Sequence, residues 1–313
     1  MNPEHAIIVV NKTRLESLID RFNTKAQAKF YIEHAGGDFK DYELEHDSFH
    51  ASLDRVTKFF TRELKVKIID RKFLTNFLFS EKDLVVVVGQ DGLVANTAKY
   101  VNGLPILAIN PDVNRFDGVL LPYNTSNFEV AFTQMIQRRV AFSEITLAEA
   151  RTNDGQKLLA FNDLFIGPAS HTSARYKLTY NQMTEQQSSS GIIVATGAGS
   201  TGWLSSVMNM TNGVTRTFNK AVNNQVNFAL PWNTDKLAFV VREPFRSKYS
   251  DINLSAGLID HGDKLFIESQ MPSNGIVFSD GIEADFLHFN SGVKLEVGIA
   301  DQRARLIINQ KKR

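Results

Sequence analysis

The chain has 313 residues, 43% of them hydrophobic and 22% charged, the composition of a globular protein with a sizeable core. Lysine plus arginine total 35 against 34 aspartates and glutamates, a net charge of +1, which argues against a dedicated nucleic-acid binder. The absence of cysteine excludes disulfides, thiolate metal sites and a cysteine nucleophile. No stretch approaches the roughly 20 apolar residues that span a bilayer, and Met1-Asn2-Pro3-Glu4-His5 lacks the basic start of a signal peptide. The sequence therefore reads as soluble and cytoplasmic, with no membrane partner, and Lys311-Lys312-Arg313 reads as a solvated tail.

In chain order, Ala6 to Val10 is a continuous apolar run that suits a parallel strand covered on both faces. Leu15, Leu18, Ile19 and Phe22 recur at helical spacing until Gly36-Gly37-Asp38 breaks the pattern. Residues 38–50, acidic and histidine-bearing, read as a surface excursion, and Phe49, Leu53, Val56 and Phe60 as a helix. Val66, Ile68 and Ile69 suggest a strand, and Leu84 to Val88 is the clearest buried strand of the chain. A helical segment from Gly92 to Tyr100 and an apolar strand from Pro105 to Ile109 complete a βαβ unit.

After about residue 125 a helical segment, Phe128 to Arg139, leads into short alternating runs such as Tyr176 to Tyr180, Lys236 to Val241 and Lys264 to Ile267. Turn signals separate them at Asn153-Asp154-Gly155, His261-Gly262-Asp263 and Ser273-Asn274-Gly275, the rhythm of antiparallel β structure. The expected fold class is an α/β N-terminal domain with a parallel sheet, residues 1–124, followed by a β-rich domain, residues 125–313. Residues 210–234, polar and rich in asparagine, read as a loop-rich excursion.

Four motifs carry candidate chemistry. Gly89-Gln90-Asp91-Gly92 follows the best strand; such a turn lets backbone amides face a phosphate and puts a carboxylate beside it, or it is simply a tight βα turn capped by Asp91. Gly197, Gly199 and Gly202 form a G-x-G-x-x-G, but no acid stands among 219–227 to grip a ribose, so the dehydrogenase fingerprint is rejected. The same loop, Thr196-Gly197-Ala198-Gly199-Ser200-Thr201-Gly202-Trp203, could frame a base with Trp203 as platform, or turn tightly with Trp203 in the core. Asn162-Asp163 interrupts an apolar strand, either to bond vicinal ribose hydroxyls or as a strand-end turn. Ser279-Asp280-Gly281 reads as a hairpin turn. His46 and His50 are four apart in the expected surface segment, and no metal site is expected there. There is no Walker A, H-E-x-x-H or G-x-S-x-G sequence.

Together these motifs resemble the NAD kinase family. The family's Gly-Gly-Asp-Gly-Thr is similar to Gly89-Gln90-Asp91-Gly92-Leu93, its asparagine-acid pair to Asn162-Asp163, and its Thr-x-x-Gly-Ser-Thr-Ala-Tyr loop to residues 196–203. Asp280-Gly281 and Ile109-Asn110-Pro111-Asp112 also fit. Ser189-Ser190-Gly191, Trp203 and Arg242-Glu243-Pro244 resemble the mitochondrial-type branch. The resemblance runs from about residue 84 to 285.

It implies magnesium-dependent transfer of a phosphoryl group from ATP to the 2′-hydroxyl of the adenosine ribose of NAD, a homo-oligomer, and a tail returning to the first domain. By carry-over Asp91 would act on that hydroxyl, Gly89 and Gly92 would admit the phosphates, and Asn110, Asn162 and Asp163 would line the dinucleotide site. Thr196, Gly199, Ser200, Thr201, Gly202 and Trp203 would form its adenine loop. Gln90 and Leu93 depart from the family's glycine and threonine; a positive φ at residue 90 would cost glutamine about 1 kcal/mol. The alternatives are a degenerate nucleotide-binding protein and a lipid or sphingoid kinase sharing the Gly-Gly-Asp-Gly turn.

Overall fold

The computed structural model describes residues 3–218 and 226–308. The chain divides into two compact units, Met1–Ser143 with Arg305–Arg313, and Glu144–Ala304. Its first half is α/β with a parallel sheet and its second half is an antiparallel β structure.

In the first unit, β1 (His5–Val10) is followed by helices α1 (Arg14–Phe22), α2 (Lys25–His34) and α3 (Phe39–Glu63). Then come β2 (Lys65–Asp70), β3 (Asp83–Val88), α4 (Asp91–Ala98), β4 (Pro105–Asn110), the short β5 (Tyr123–Asn124) and α5 (Phe128–Ile136). The strands are parallel in the order β2-β1-β3-β4; β5 and residues 305–306 share the far edge of β4. All six residues of β3 and of β4 are buried, as their unbroken apolar runs require of strands covered on both faces. Phe49, Val56 and Phe60 of α3 and Phe128 and Phe132 of α5 pack on Ala6, Ile8, Leu84 and Val86.

Three expectations are corrected here. Residues 38–50 are not a surface excursion: Asp38 caps α3 by accepting the Lys40 N–H, and the helix runs 25 residues. Its inward face includes Glu45 and Ser52, polar residues that weaken the apolar period but find partners: Arg14 for Glu45, the Pro111 carbonyl for Ser52 at 2.8 Å. The boundary falls at 143/144 rather than 124/125, because Phe128, Ala131, Phe132 and Met135 of α5 belong to the first core. Within 210–234, residues 210–218 are helical; Asn223-Asn224, like the basic tail 311–313, lies outside the described residues.

The second unit holds β6 (Ala141–Thr152), β7 (Lys157–Ala160), β8 (Asp163–Pro168), β9 (Ala174–Tyr180), β10 (Met183–Ser189), β11 (Ile192–Ala195) and α6 (Trp203–Phe218). It continues with β12 (Lys236–Val241), β13 (Ala256–Asp260), β14 (Leu265–Ser269), β15 (Gly275–Ser279), β16 (Ile282–His288) and β17 (Lys294–Ile308), whose last residues return to the first unit. One antiparallel sheet has the order β13-β12-β11-β8-β15-β16, and opposite it β10-β9-β14-β17 pair in sequence. Their inner faces share a core of Ile166, Tyr176, Leu178, Val194, Phe239 and Val277. The other side of β8, β11 and β12 is covered by Leu204 and Trp203 of α6.

Candidate functional site

In the first unit the strand order reverses between β1 and β3, and ligands of open α/β sheets bind outside the carboxyl ends of strands at such a point. The turn Gly89-Gln90-Asp91-Gly92 stands at the carboxyl end of β3. Gln90 is the N-cap of α4 with φ −104° and ψ 167°, ordinary extended backbone, so the strain foreseen for glutamine is absent. Asp91 opens the helix instead of capping it, and its Oδ1 accepts the Leu120 N–H at 2.7 Å. One carboxylate oxygen is thereby aimed by the chain's own backbone, and Oδ2 remains for a ligand. Gly92 is exposed, and a Cβ there would meet nothing within 4 Å. Gly89 is buried; its missing Cβ leaves room for the side chain of Leu93, 4% exposed and part of the core. Leu93 thus occupies the threonine position as a packing residue and offers no hydroxyl.

Asn110 is 4% exposed and spends its amide locally: Nδ2 donates to the Phe116 carbonyl at 2.9 Å and Oδ1 accepts the Asp112 N–H at 3.0 Å. It shapes the loop that carries Leu120 to Asp91. Arg115 of that loop bonds Asp41 of α3 at 2.7 Å; Arg115 and then Arg14 hold the Asp41 carboxyl down at about 2.

In the second unit the asparagine-acid pair, the glycine loop and the Asp280 turn come together. Asp280 and Gly281 have φ of 54° and 68°, the primed turn of a two-residue hairpin between β15 and β16. The Asp280 carboxylate accepts three consecutive N–H groups: Phe161 at 3.0 Å, Asn162 at 2.6 Å and Asp163 at 3.3 Å. It fixes the backbone from which Asn162 and Asp163 project, a role that sequence reasoning missed. Asp163 is 8% exposed, and burial, then the Asp280 charge, push its carboxyl from 3.8 up to about 7.

The loop lies directly on this backbone. Thr196 Oγ1 donates to the Phe161 carbonyl at 2.5 Å, and the Thr196 N–H bonds the Asn162 carbonyl at 2.9 Å. A Cβ on Gly199 would collide with that same carbonyl, so this position admits only glycine. Ser200 Oγ donates to the Gly197 carbonyl at 2.7 Å and accepts the Leu230 N–H at 3.0 Å. Thr196 and Ser200 are 0% exposed with their hydroxyls engaged, so their side chains build the loop. Thr201 and Gly202 are exposed, ahead of α6.

Trp203 is half-buried. Its ring lies near-parallel to Phe165, 5.6 Å between centroids at 12°, and the Arg242 guanidinium carbon is 5.4 Å from its centre. The buried part of the indole packs on Phe165 of β8 and Phe278 of β15. Arg242 was visible in the sequence only as part of Arg242-Glu243-Pro244.

No family model matches the chain. A probable NADH kinase of Oryza sativa subsp. japonica is 25% identical over 223 residues, 64% of this chain; the match spans 63% of that relative's length. A crystal structure of yeast NADH kinase complexed with NADH superposes with a TM-score of 0.59 at 14% identity, covering 100% of this chain and 85% of that one. An NAD kinase from Archaeoglobus fulgidus in complex with ATP gives 0.56 at 18%, covering 98% and 94%. The chain shares the fold of these NAD and NADH kinases. Within the NAD kinase fold its departures at Gln90 and Leu93 are accommodated, one by an extended backbone and the other by burial.

Proposed function

We propose that the chain is an ATP-dependent NAD or NADH kinase. The observation that carries this reading is Asp91, the acid at the carboxyl end of β3, held by the Leu120 N–H beside a Gly92 with open space above it. In the reaction the 2′-oxygen of the adenosine ribose bonds the γ-phosphorus of ATP, the bond to ADP breaks, and the hydroxyl proton leaves. Asp91 orients that hydroxyl and accepts its proton. Gly92 and the first amides of α4 face phosphate oxygens with the positive end of the helix dipole, while Gly89, whose N–H goes to the Ile109 carbonyl at 3.3 Å, makes room for Leu93 beneath the turn. In the second unit Asn162 and Asp163 hold ribose hydroxyls, and Thr201, Gly202 and Trp203 border the adenine.

The turn suits Mg²⁺ only as a minor ligand, since Asp91 has one carboxylate oxygen free of Leu120. The ion would be held chiefly by phosphates, and when bound it neutralises their charge. Phosphoryl transfer asks mainly for positioning and charge neutralisation, so one acid is chemically sufficient. The rice and yeast relatives support a reduced dinucleotide as acceptor, the archaeal one ATP as donor. A homo-oligomer in the cytoplasm completes the reading; among the described residues no helix is long and apolar enough to cross a membrane.

The test is the purified full chain with ATP, Mg²⁺ and either NAD or NADH, assayed for NADP or NADPH, with light scattering for assembly. Nucleotide binding without product would leave the degenerate binding protein. Phosphorylation of a sphingoid base in place of the dinucleotide would establish the lipid kinase instead.

A further inference from the structure

Helices α1 and α3 of the first unit bring together three side chains with metal-ligating atoms. His46 and His50 are four residues apart on α3 and so share one face, their ring centroids 4.3 Å apart. Glu16 comes from α1, and one ligand atom from each of the three lies within 4.8 Å of the other two. The surface segment expected of residues 38–50 hid this, because only a helix turns a four-residue spacing into a chelating pair.

Each side chain is already aimed. Glu16 is the third residue of α1 and is pinned by a capping box: its Oε2 accepts the Thr13 N–H at 2.7 Å while Thr13 Oγ1 accepts the Glu16 N–H at 3.2 Å. The other oxygen, Oε1, lies 3.0 Å from His50 Nε2. His46 Nδ1 is 3.0 Å from Thr13 Oγ1. A histidine that gives Nδ1–H to an oxygen presents Nε2 to a metal, the usual outer support of a zinc-bound imidazole. Arg14 bonds Asp41 at 2.8 Å and also Glu45, so α1 and α3 are clamped together beside the cluster without any ion. His50, 44% exposed, leaves an entry path.

We propose that Glu16, His46 and His50 form a divalent transition-metal site of the zinc class, separate from the Mg²⁺ that accompanies ATP. Two imidazoles and one carboxylate favour Zn²⁺ and its neighbours, whereas Mg²⁺ and Ca²⁺ seek oxygen ligands alone. Three protein ligands leave the fourth tetrahedral position to water. A bound ion replaces the His50–Glu16 hydrogen bond with a cross-link between α1 and α3. Through Ser48 and Ser52, whose hydroxyls both reach the Pro111 carbonyl, α3 also holds the loop that presents Leu120 to Asp91.

The test is calorimetric titration of the chelator-stripped full chain, free of nucleotide, with Zn²⁺ and separately with Mg²⁺. One zinc per chain binds with a Kd in the micromolar range or tighter, and the Mg²⁺ titration does not compete with it. Glu16→Gln keeps the capping box, since glutamine serves at that position, and with His50→Gln it weakens zinc at least 10-fold while far-UV circular dichroism stays unchanged. Excess zinc raises the melting temperature of the wild type by several degrees and leaves that of His46→Gln/His50→Gln where it was. Absence of zinc binding up to millimolar concentration, or undiminished binding in the double variant, overturns the proposal.

Discussion

Replacing Asp163 by asparagine removes a titration that the fold has displaced by about three pH units. Asp163 begins β8, 8% exposed, and among the described residues its carboxyl takes no hydrogen bond to offset its burial. Burial and the Asp280 charge bring it from 3.8 to about 7. The native chain therefore binds this proton more tightly than the unfolded chain. The group's contribution to stability falls as pH rises from about 4 to about 7; it is absent below that window and constitutes a full penalty above it. At 1.36 kcal/mol per unit the total is about 4 kcal/mol, of which about 3 kcal/mol develops between pH 5 and pH 8.

An asparagine side chain has nearly the same shape as aspartate and no titration. Other groups common to both proteins cancel, so the stability of Asp163→Asn relative to wild type should rise by about 3 kcal/mol across that interval and level off above pH 7. Urea unfolding followed by tryptophan emission suits the measurement, because the two tryptophans, Trp203 and Trp232, lie in the unit that contains Asp163. A difference that stays flat from pH 5 to pH 8 would refute the claim that burial raises this carboxyl.

Asp91→Asn should retain dinucleotide binding by calorimetry and lose roughly 10²- to 10⁴-fold in turnover; near-normal kcat would remove Asp91 from the mechanism. Gly92→Ala has space for its methyl group and improves helix propensity, so stability should hold or rise by up to about 1 kcal/mol while the KM for ATP worsens. Gly199→Ala, which drives a methyl into the Asn162 carbonyl, should cost about 3 kcal/mol or more in thermal unfolding; an unchanged melting temperature would contradict the packing described. Gln90→Gly with Leu93→Thr should not improve ATP use, because residue 90 is unstrained and Leu93 is core: the expected result is an unchanged or higher KM and a stability loss of about 2 kcal/mol.

Much of the fold was legible in the sequence because its signals are local. The apolar run Leu84 to Val88 with glycine after it states a buried strand and a turn, and the alternation of Tyr176 to Tyr180 states a strand with one buried face. The acid after the best strand and the asparagine-acid pair were likewise visible as residue types that their surroundings do not explain. What the periodicity could not carry was the pairing of distant residues. Residues 38–50 form half of α3 because Glu45 and Ser52 meet Arg14 and Pro111, partners 31 and 59 residues away. Asp91 is aimed by an N–H 29 residues on, and the backbone of Asn162 and Asp163 is held by a carboxylate more than a hundred residues later. The roles of Asn110, Thr196 and Ser200 turned on the same point: a polar side chain in a ligand-like motif serves the ligand or the loop according to which atoms the folded chain brings to it. The composition of the segment leaves that choice open, since a buried polar group must be satisfied but any partner of the right geometry will do. Glu16, His46 and His50 show it most simply, three ordinary residues in the sequence whose ligand atoms only the packing of α1 on α3 places within one coordination sphere.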